Sequence, residues 1–344
     1  MSKNTNLHKA KEAKNDEFYT QLNDIEKELN HYKDHFKGKV VYCNCDDCFE
    51  SNFFKYFALN FKHLGLKKLI TTCYSPSPVA HKEVNLFNFD DTTEEESVSK
   101  AYKIEIEETD IPTTDGWNLQ NVEELTRKHA TLLKGEGDFR SEECISLLKE
   151  SDIVVTNPPF SLFREYVAQL VEYGKKFIIL GNMNAITYKE IFPLIKENKL
   201  WIGYGFNMSL VYKTVYENKL EANRKFVESK GYNPNDNYIK VPSCSWFTNL
   251  DIKKRHEDLI LYRNYNEKDY PKYDNYDAIN VDKVSEIPCD YDGVMGVPIT
   301  FLDKFNPSQF EIVLFPNRWQ MSGHDRTTIN GNLTYARLFI KKIA

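Results

Sequence analysis

The sequence predicts an α/β protein: a Rossmann-like, mostly parallel sheet with helices on both faces, followed by a further C-terminal region. Three observations carry this. Short β-branched apolar runs alternate with stretches of helical periodicity. The first clear run, Lys39–Cys45, leads into a polar turn and then a helix, the arrangement found at the binding corner of a doubly wound sheet. A later run, Ile153–Val155, is stopped by Asn157-Pro158-Pro159-Phe160. Proline has no amide hydrogen and a fixed φ, so a strand ladder cannot continue through it.

Taken in order, Ile25, Leu29, Tyr32 and Phe36 fall on one helical face, and Gly38 ends that helix. Asp16-Glu17-Phe18-Tyr19-Thr20 stands just before it. Phe18, Tyr19 and Thr20 can wall a ligand pocket or belong to the core. After the strand through Cys43, Asn44 and Cys45 come Asp46 and Asp47, then a helix from about Ser51 carrying Phe53, Phe54, Phe57, Phe61 and Leu64. The two aspartates suit a charged amino group or cap the helix. No G-x-G-x-x-G is present there, so a dinucleotide has no direct support. Lys67–Tyr74 reads as the second strand, broken by Ser75-Pro76-Ser77-Pro78. Lys103–Glu107 alternates in period two, which predicts an exposed strand of a hairpin within an acidic insertion at about 77–115.

Gly135-Glu136-Gly137-Asp138-Phe139 precedes the Asn157 strand. It is either a ligand-binding turn, with Asp138 as acceptor and Phe139 as stacking face, or a surface turn. Further strands are predicted at Lys176–Asn182, Leu200–Tyr204 and Ser245–Leu250, with a helix at Lys189–Lys199. From about 251 the texture changes to tyrosines among Arg, Lys, Asn and Asp. The predicted division is therefore into 1–250 and 251–344.

Composition bounds the function. A chain of 344 residues, 41% hydrophobic and 28% charged, holds one large domain or two. No apolar run approaches membrane-spanning length, and Met1–Lys14 is polar and lysine-rich without a signal-peptide core. A cytoplasmic location is expected. Seven scattered cysteines fit reduced thiols. Cys43-x-Cys45-x-x-Cys48 lacks a second ligand pair at zinc spacing, and no metal is expected. The net charge of −6 is unevenly spread: residues 88–124 carry twelve acids and two bases, leaving +4 on the rest of the chain. Local patches, rather than totals, set phosphate affinity. The C-terminal stretch offers Asn317, Arg318, Arg326 and Asn330 as residue types that contact phosphates and base edges.

The Asn157 turn suits a planar ring bearing an amine. An exocyclic NH2 donates two hydrogens; the Asn157 side-chain oxygen and the Pro158 carbonyl are two acceptors at nearly fixed separation. Phe160 offers a flat face. An ordinary proline-rich turn after a buried strand accounts for the tetrapeptide equally well.

The surrounding stretches weigh against that plain reading. Asp16–Thr20, Val40–Asp47, Ser51–Phe57, Asn157–Phe160, Trp246–Leu250 and Gly296–Leu302 together make the chain resemble the EcoRI-type adenine-specific DNA methyltransferases over nearly its whole length. Cys48 stands where that family usually has proline after the Asp-Asp pair, a departure that removes no ligand group. The resemblance implies transfer of a methyl group from S-adenosylmethionine (SAM) to N6 of an adenine flipped out of duplex DNA. Asn157, Pro158, Pro159 and Phe160 would be catalytic. Phe18, Tyr19, Thr20, Cys43, Asn44, Cys45, Asp46, Asp47, Asp138 and Phe139 would hold SAM. It also implies double-stranded DNA as partner and a separately encoded restriction endonuclease as possible companion. Two other readings stay open: a protein-glutamine or RNA amino-methyltransferase using the same motif, and a DNA-binding module without catalysis.

Overall fold

A computed structural model describes residues 19–45, 49, 51–74, 101–112, 117–213, 221–236, 238–316 and 327–343. The strands in chain order are β1 (Tyr19–Thr20), β2 (Val40–Cys43), β3 (Lys68–Thr72), β4 (Tyr102–Glu107), β5 (Thr131–Leu132), β6 (Ile153–Thr156), β7 (Lys176–Asn182), β8 (Trp201–Ile202), β9 (Met208–Lys213), β10 (Tyr238–Thr248), β11 (Ala278–Asn280), β12 (Val294–Val297), β13 (Phe310–Leu314), β14 (Thr328–Ile329), β15 (Asn332–Leu333) and β16 (Leu338–Lys342). The longer helices are α1 (Leu22–Leu29), α2 (Asn52–Leu59), α3 (Leu119–His129), α4 (Glu142–Glu150), α5 (Phe163–Glu172) and α6 (Glu221–Ser229).

The chain divides into two compact units, one comprising 1–183 and 207–250, the other 184–206 and 251–344. The first is built on a sheet in the order β1-β9-β10-β7-β6-β2-β3-β4-β5. Its centre, β7-β6-β2-β3, is parallel, and the strands on either side are antiparallel. The central runs are buried along both faces, which is why they read as unbroken apolar stretches.

Strand β10 shows how helices come to cover both faces. Trp246 and Phe247 are neighbours, so their side chains point to opposite sides of the sheet. Trp246 packs edge-on against Phe53 of α2, with ring centroids 6.0 Å apart. Phe247 meets Phe163 of α5 at 5.0 Å. Gly181 in β7 completes the second contact: any Cβ there would run into the Phe163 ring.

Two expectations are corrected. Lys103–Glu107 lies in β4, an integral strand paired to β3 and β5. Its alternation was read correctly, but it arises because Ile104 and Ile106 are fully buried while Lys103 and Glu105 pair on the opposite face at 3.0 Å. Of the acidic stretch at about 77–115, residues 77–100 and 113–115 lie outside the described residues. The strand predicted at Ser245–Leu250 is the inner half of a longer one, β10, with a bulge at Pro242–Ser243 where Ser243 takes φ 59°.

The second unit has a sheet in the order β11-β12-β16-β13 and a separate hairpin β14–β15. Residues 184–206, which the sequence reading grouped with the first region, belong here. The Arg255 guanidinium lies 3.7 Å from the Trp201 ring centroid and donates to Asn198 at 2.9 Å. Lys254 Nζ donates to the Gly203 carbonyl at 3.0 Å. The predicted helix at Lys189–Lys199 is shorter, Phe192–Lys196.

Candidate active site

In an open α/β sheet, ligands bind beyond the carboxyl ends of the strands, where the strand order reverses. Here β3 lies on one side of β2 and β6 on the other, so the reversal falls between β2 and β6. Asn44 follows β2 and Asn157 follows β6, which brings the two predicted corners to this one place.

The corners are tied directly. The Thr156 hydroxyl donates to the Asn44 carbonyl, and the Tyr166 hydroxyl of α5 donates to Asn44 Oδ1. Asn44 is only 4% exposed and Asn157 6%. Burial holds the Tyr166 phenol well above its usual range, so it stays a protonated donor. Cys45 then turns the chain with φ 71°, a conformation that is uncommon outside glycine. Pro158 is buried, while Pro159 and Phe160 are half-buried. The Pro159 carbonyl accepts from the Leu162 amide at 2.9 Å. That bond closes the short turn at Phe160–Leu162 leading into α5.

The Gly-Asp-Phe loop reaches the same helix. Phe139 packs edge-on against Tyr166 at 5.1 Å, and its carbonyl accepts from Gln169 at 3.1 Å. Gly137 is required where it stands: its φ is 77° and a Cβ would overlap the Cys73 carbonyl oxygen. Asp138 Oδ1 accepts from the Arg140 amide and Nε, both at 2.8 Å, and Oδ2 accepts from Arg140 Nη2 at 2.6 Å. These bonds hold the Asp138 carboxyl below the usual range. Arg140 also reaches Glu165 of α5 at 3.2 Å and lies over the Phe139 ring at 5.1 Å.

Thr20 is buried in β1, and its carbonyl accepts from Asn52 at the start of α2, at 2.7 Å. The N-terminal predicted wall is thus joined to the helix that follows the first-strand corner. Cys43 is buried within β2. Phe18, Asp46, Asp47, Asn317, Arg318 and Arg326 lie outside the described residues, and for Tyr19 only the backbone is described. Asn330 is exposed in the second unit, at a hairpin turn with φ 51°.

Asn44, Phe139 and Asn157 are therefore linked by bonds and packing through Tyr166 and Thr156, while Thr20 is tied to α2 in the same unit. Tyr166, Thr156, Gln169 and Arg140, which make those links, were not singled out from sequence. Tyr166 was placed on the apolar face of a helix, which gave its hydroxyl no visible partner.

Comparison with known proteins identifies the family. The family described as "Adenine-specific methyltransferase EcoRI" matches residues 6–342. Type II methyltransferase M.EcoRI of Escherichia coli is 50% identical, covering 97% of this chain and 95% of its own length. Type II methyltransferases M.MpnI of Mycoplasma pneumoniae and M.MgeORF184P of Mycoplasma genitalium are 39% and 38% identical, each pairing covering 98% of both chains. No solved structure matches the chain. A match spanning almost every residue, with half the residues identical to a relative of nearly the same extent, means that the chain belongs to the EcoRI family of adenine-specific methyltransferases.

Proposed function

We propose that this adenine methyltransferase uses SAM and modifies N6 of an adenine flipped out of a specific duplex DNA site. The observation that carries the reading is the bracing of the Asn157 strand onto the first-strand corner through Thr156, Asn44 and Tyr166. It supports the reading because it ties the strand leading into Asn157 and Pro158 to the first-strand corner.

The residues fit SAM. A carboxylate accepts about four hydrogen bonds. Asp138 uses three on Arg140, so Oδ2 keeps capacity for the hydrogen of an adenine amine. Thr20, Asn44, Cys45, Asp138 and Phe139 would line the site, together with Phe18, Tyr19, Cys43, Asp46 and Asp47. When bound, SAM supplies an electrophilic methyl group.

The chain's own residues do the rest by positioning and fixed dipoles. Phe160 stacks on the extruded base, whose unstacking costs a few kcal/mol. The side-chain oxygen of Asn157 and the carbonyl of Pro158 accept the two amine hydrogens. Electron density would then build on N6 as it aligns for in-line attack, and once methylated N6 would shed one of its two hydrogens as a proton to give the neutral product amine. Pro159 fixes the backbone so that the acceptors need not reorganise. No covalent nucleophile is required. The Cys244 thiol, pushed up to about 12 by burial, illustrates how poorly suited a buried cysteine here would be to that role.

Residues 251–344 form the target-recognition region in this reading, with Asn317, Arg318, Arg326 and Asn330 toward the DNA. A separately encoded endonuclease cutting the same unmodified sequence would complete a restriction–modification pair. A cytoplasmic location follows from a DNA substrate, and among the described residues no helix is long and apolar enough to cross a membrane.

The test is sequencing of modified bases in DNA from cells expressing the protein, paired with labelled SAM offered on DNA, RNA and protein. N6-methyladenine at one recurring motif is the expected result. Label confined to RNA or to glutamine side chains would replace this reading with the amino-methyltransferase alternatives.

A further inference from the structure

The β14–β15 hairpin is held on one side and bare on the other. Its register pairs Thr328 with Leu333 and Ile329 with Asn332. Asn330 and Gly331, at φ 51° and 76°, form the two-residue turn that matches strand twist. The Asp274 carboxylate grips that turn, accepting the Asn330 amide at 2.9 Å and the Gly331 amide at 2.8 Å. The Asp274 amide donates to the Thr328 carbonyl at 2.8 Å. Ile329 packs on the cluster of Tyr273, Ala278 and Phe339. These anchors fall on the first strand and the turn.

The second strand faces solvent. Leu333 is 62% exposed and Tyr335 84%. Two positions apart, they share a face, while Thr334 between them bonds its hydroxyl to that of Thr327 at 2.5 Å. Large apolar side chains left bare on a rigid support mark a contact surface. Residues 327–336, Thr-Thr-Ile-Asn-Gly-Asn-Leu-Thr-Tyr-Ala, contain no acid and no base. The carboxylate beside them, Asp274, is already bonded to turn amides.

We infer that this hairpin enters a groove of duplex DNA, with Leu333 and Tyr335 against the bases, and that it helps set which sequence is methylated. The inference rests on reading the second unit as the DNA-recognition region. A two-stranded ribbon fits the major groove. A ribbon without acids passes between phosphates without repulsion. Leucine and tyrosine supply apolar contact to thymine methyls and base faces, and Asn332 adds a side chain able to reach base edges. Pre-ordering by Asp274 and Ile329 lowers the entropy lost on binding.

The test compares full-length wild type, a Leu333→Ala/Tyr335→Ala double variant and Tyr335→Phe. Methylation kinetics, modified-base sequencing and DNA binding over a salt series are measured for each. The double variant should lose roughly ten- to a hundredfold in kcat/KM on the wild-type motif, the scale of one lost base contact. It should gain relative methylation at sites one base pair away and keep the wild-type salt slope. Tyr335→Phe should stay near wild type. An unchanged motif and rate in the double variant would overturn the inference, as would loss of self-association with DNA binding intact, which would make this face a contact between copies. Absence of DNA methylation by the wild type would instead remove the functional reading on which the inference stands.

Discussion

In the proposed mechanism Tyr166 and Asn157 divide the work of the site between them, with Asn157 supplying an acceptor to the substrate amine. Asn157→Ala should therefore abolish N6 methylation while leaving SAM affinity within about twofold, because only interactions made in the transition state are removed. Calorimetry with SAM and a methyl-transfer assay would check this; full activity would sink the mechanism. Tyr166 never needs to touch substrate. Tyr166→Phe leaves Asn44 Oδ1 buried without its donor, and such loss costs about 1–3 kcal/mol. Urea unfolding should show a midpoint lowered accordingly, together with a reduced kcat. Of these two residues, Asn157 was legible in the sequence, because two prolines and an aromatic mark it as a stopped strand. Tyr166 was not, since a helical apolar face gives a tyrosine no reason to be read as more than packing. The bond that gives it a role joins residues 122 positions apart.

At the scale of elements, β2, β3, β6 and β7 were legible because a strand buried on both faces writes a continuous apolar run. The antiparallel flanks were harder. The position of β4 depends on which neighbour it pairs with, and alternation says only that one face is wet. Strand β9 escaped notice altogether: Met208–Lys213 is partly exposed and so writes no unbroken apolar run. The Gly-Asp-Phe loop yields the element-scale prediction. Gly137→Ala would force a Cβ into the Cys73 carbonyl in a left-handed backbone, displacing Asp138 and Phe139. SAM affinity should fall roughly tenfold or more, with DNA affinity preserved, as read by calorimetry and gel shift. Equal loss of both affinities would indicate general unfolding instead. On the functional side, the Asp46/Asp47 corner was read from the sequence but lies outside the described residues, so its contribution is best probed by Asp46→Asn and Asp47→Asn in the same calorimetric series.

For the whole molecule, net charge is a poor guide. A chain at −6 whose acids cluster at 88–124 leaves a body at +4, and counterion release follows the basic surface rather than the total. DNA affinity should accordingly fall as salt rises, with a log–log slope of about −0.9 for each phosphate neutralised. A fluorescence titration between low and moderate salt measures it, and a flat response would exclude the basic body as the DNA face. The two-unit division was only half legible. The change of texture near 251 is plain in the sequence, but 184–206 group with the later residues through long-range contacts, Arg255 on Trp201 among them, that spacing does not announce.

The bulge at Pro242–Ser243 makes β10 behave as two strands on one chain. Before it, Tyr238–Val241 pairs with β9; after it, Cys244–Thr248 pairs with β7, and β9 keeps one pairing, Met208 with Cys244. The outer ladder, which also carries β1 and Thr20, can thus fray without unzipping the central sheet. Amide hydrogens of 244–248 should exchange with deuterium far more slowly than those of 238–241, giving a single strand two protection regimes. Thr20 would then breathe on a faster clock than the central strands that lead into Asn44 and Asn157.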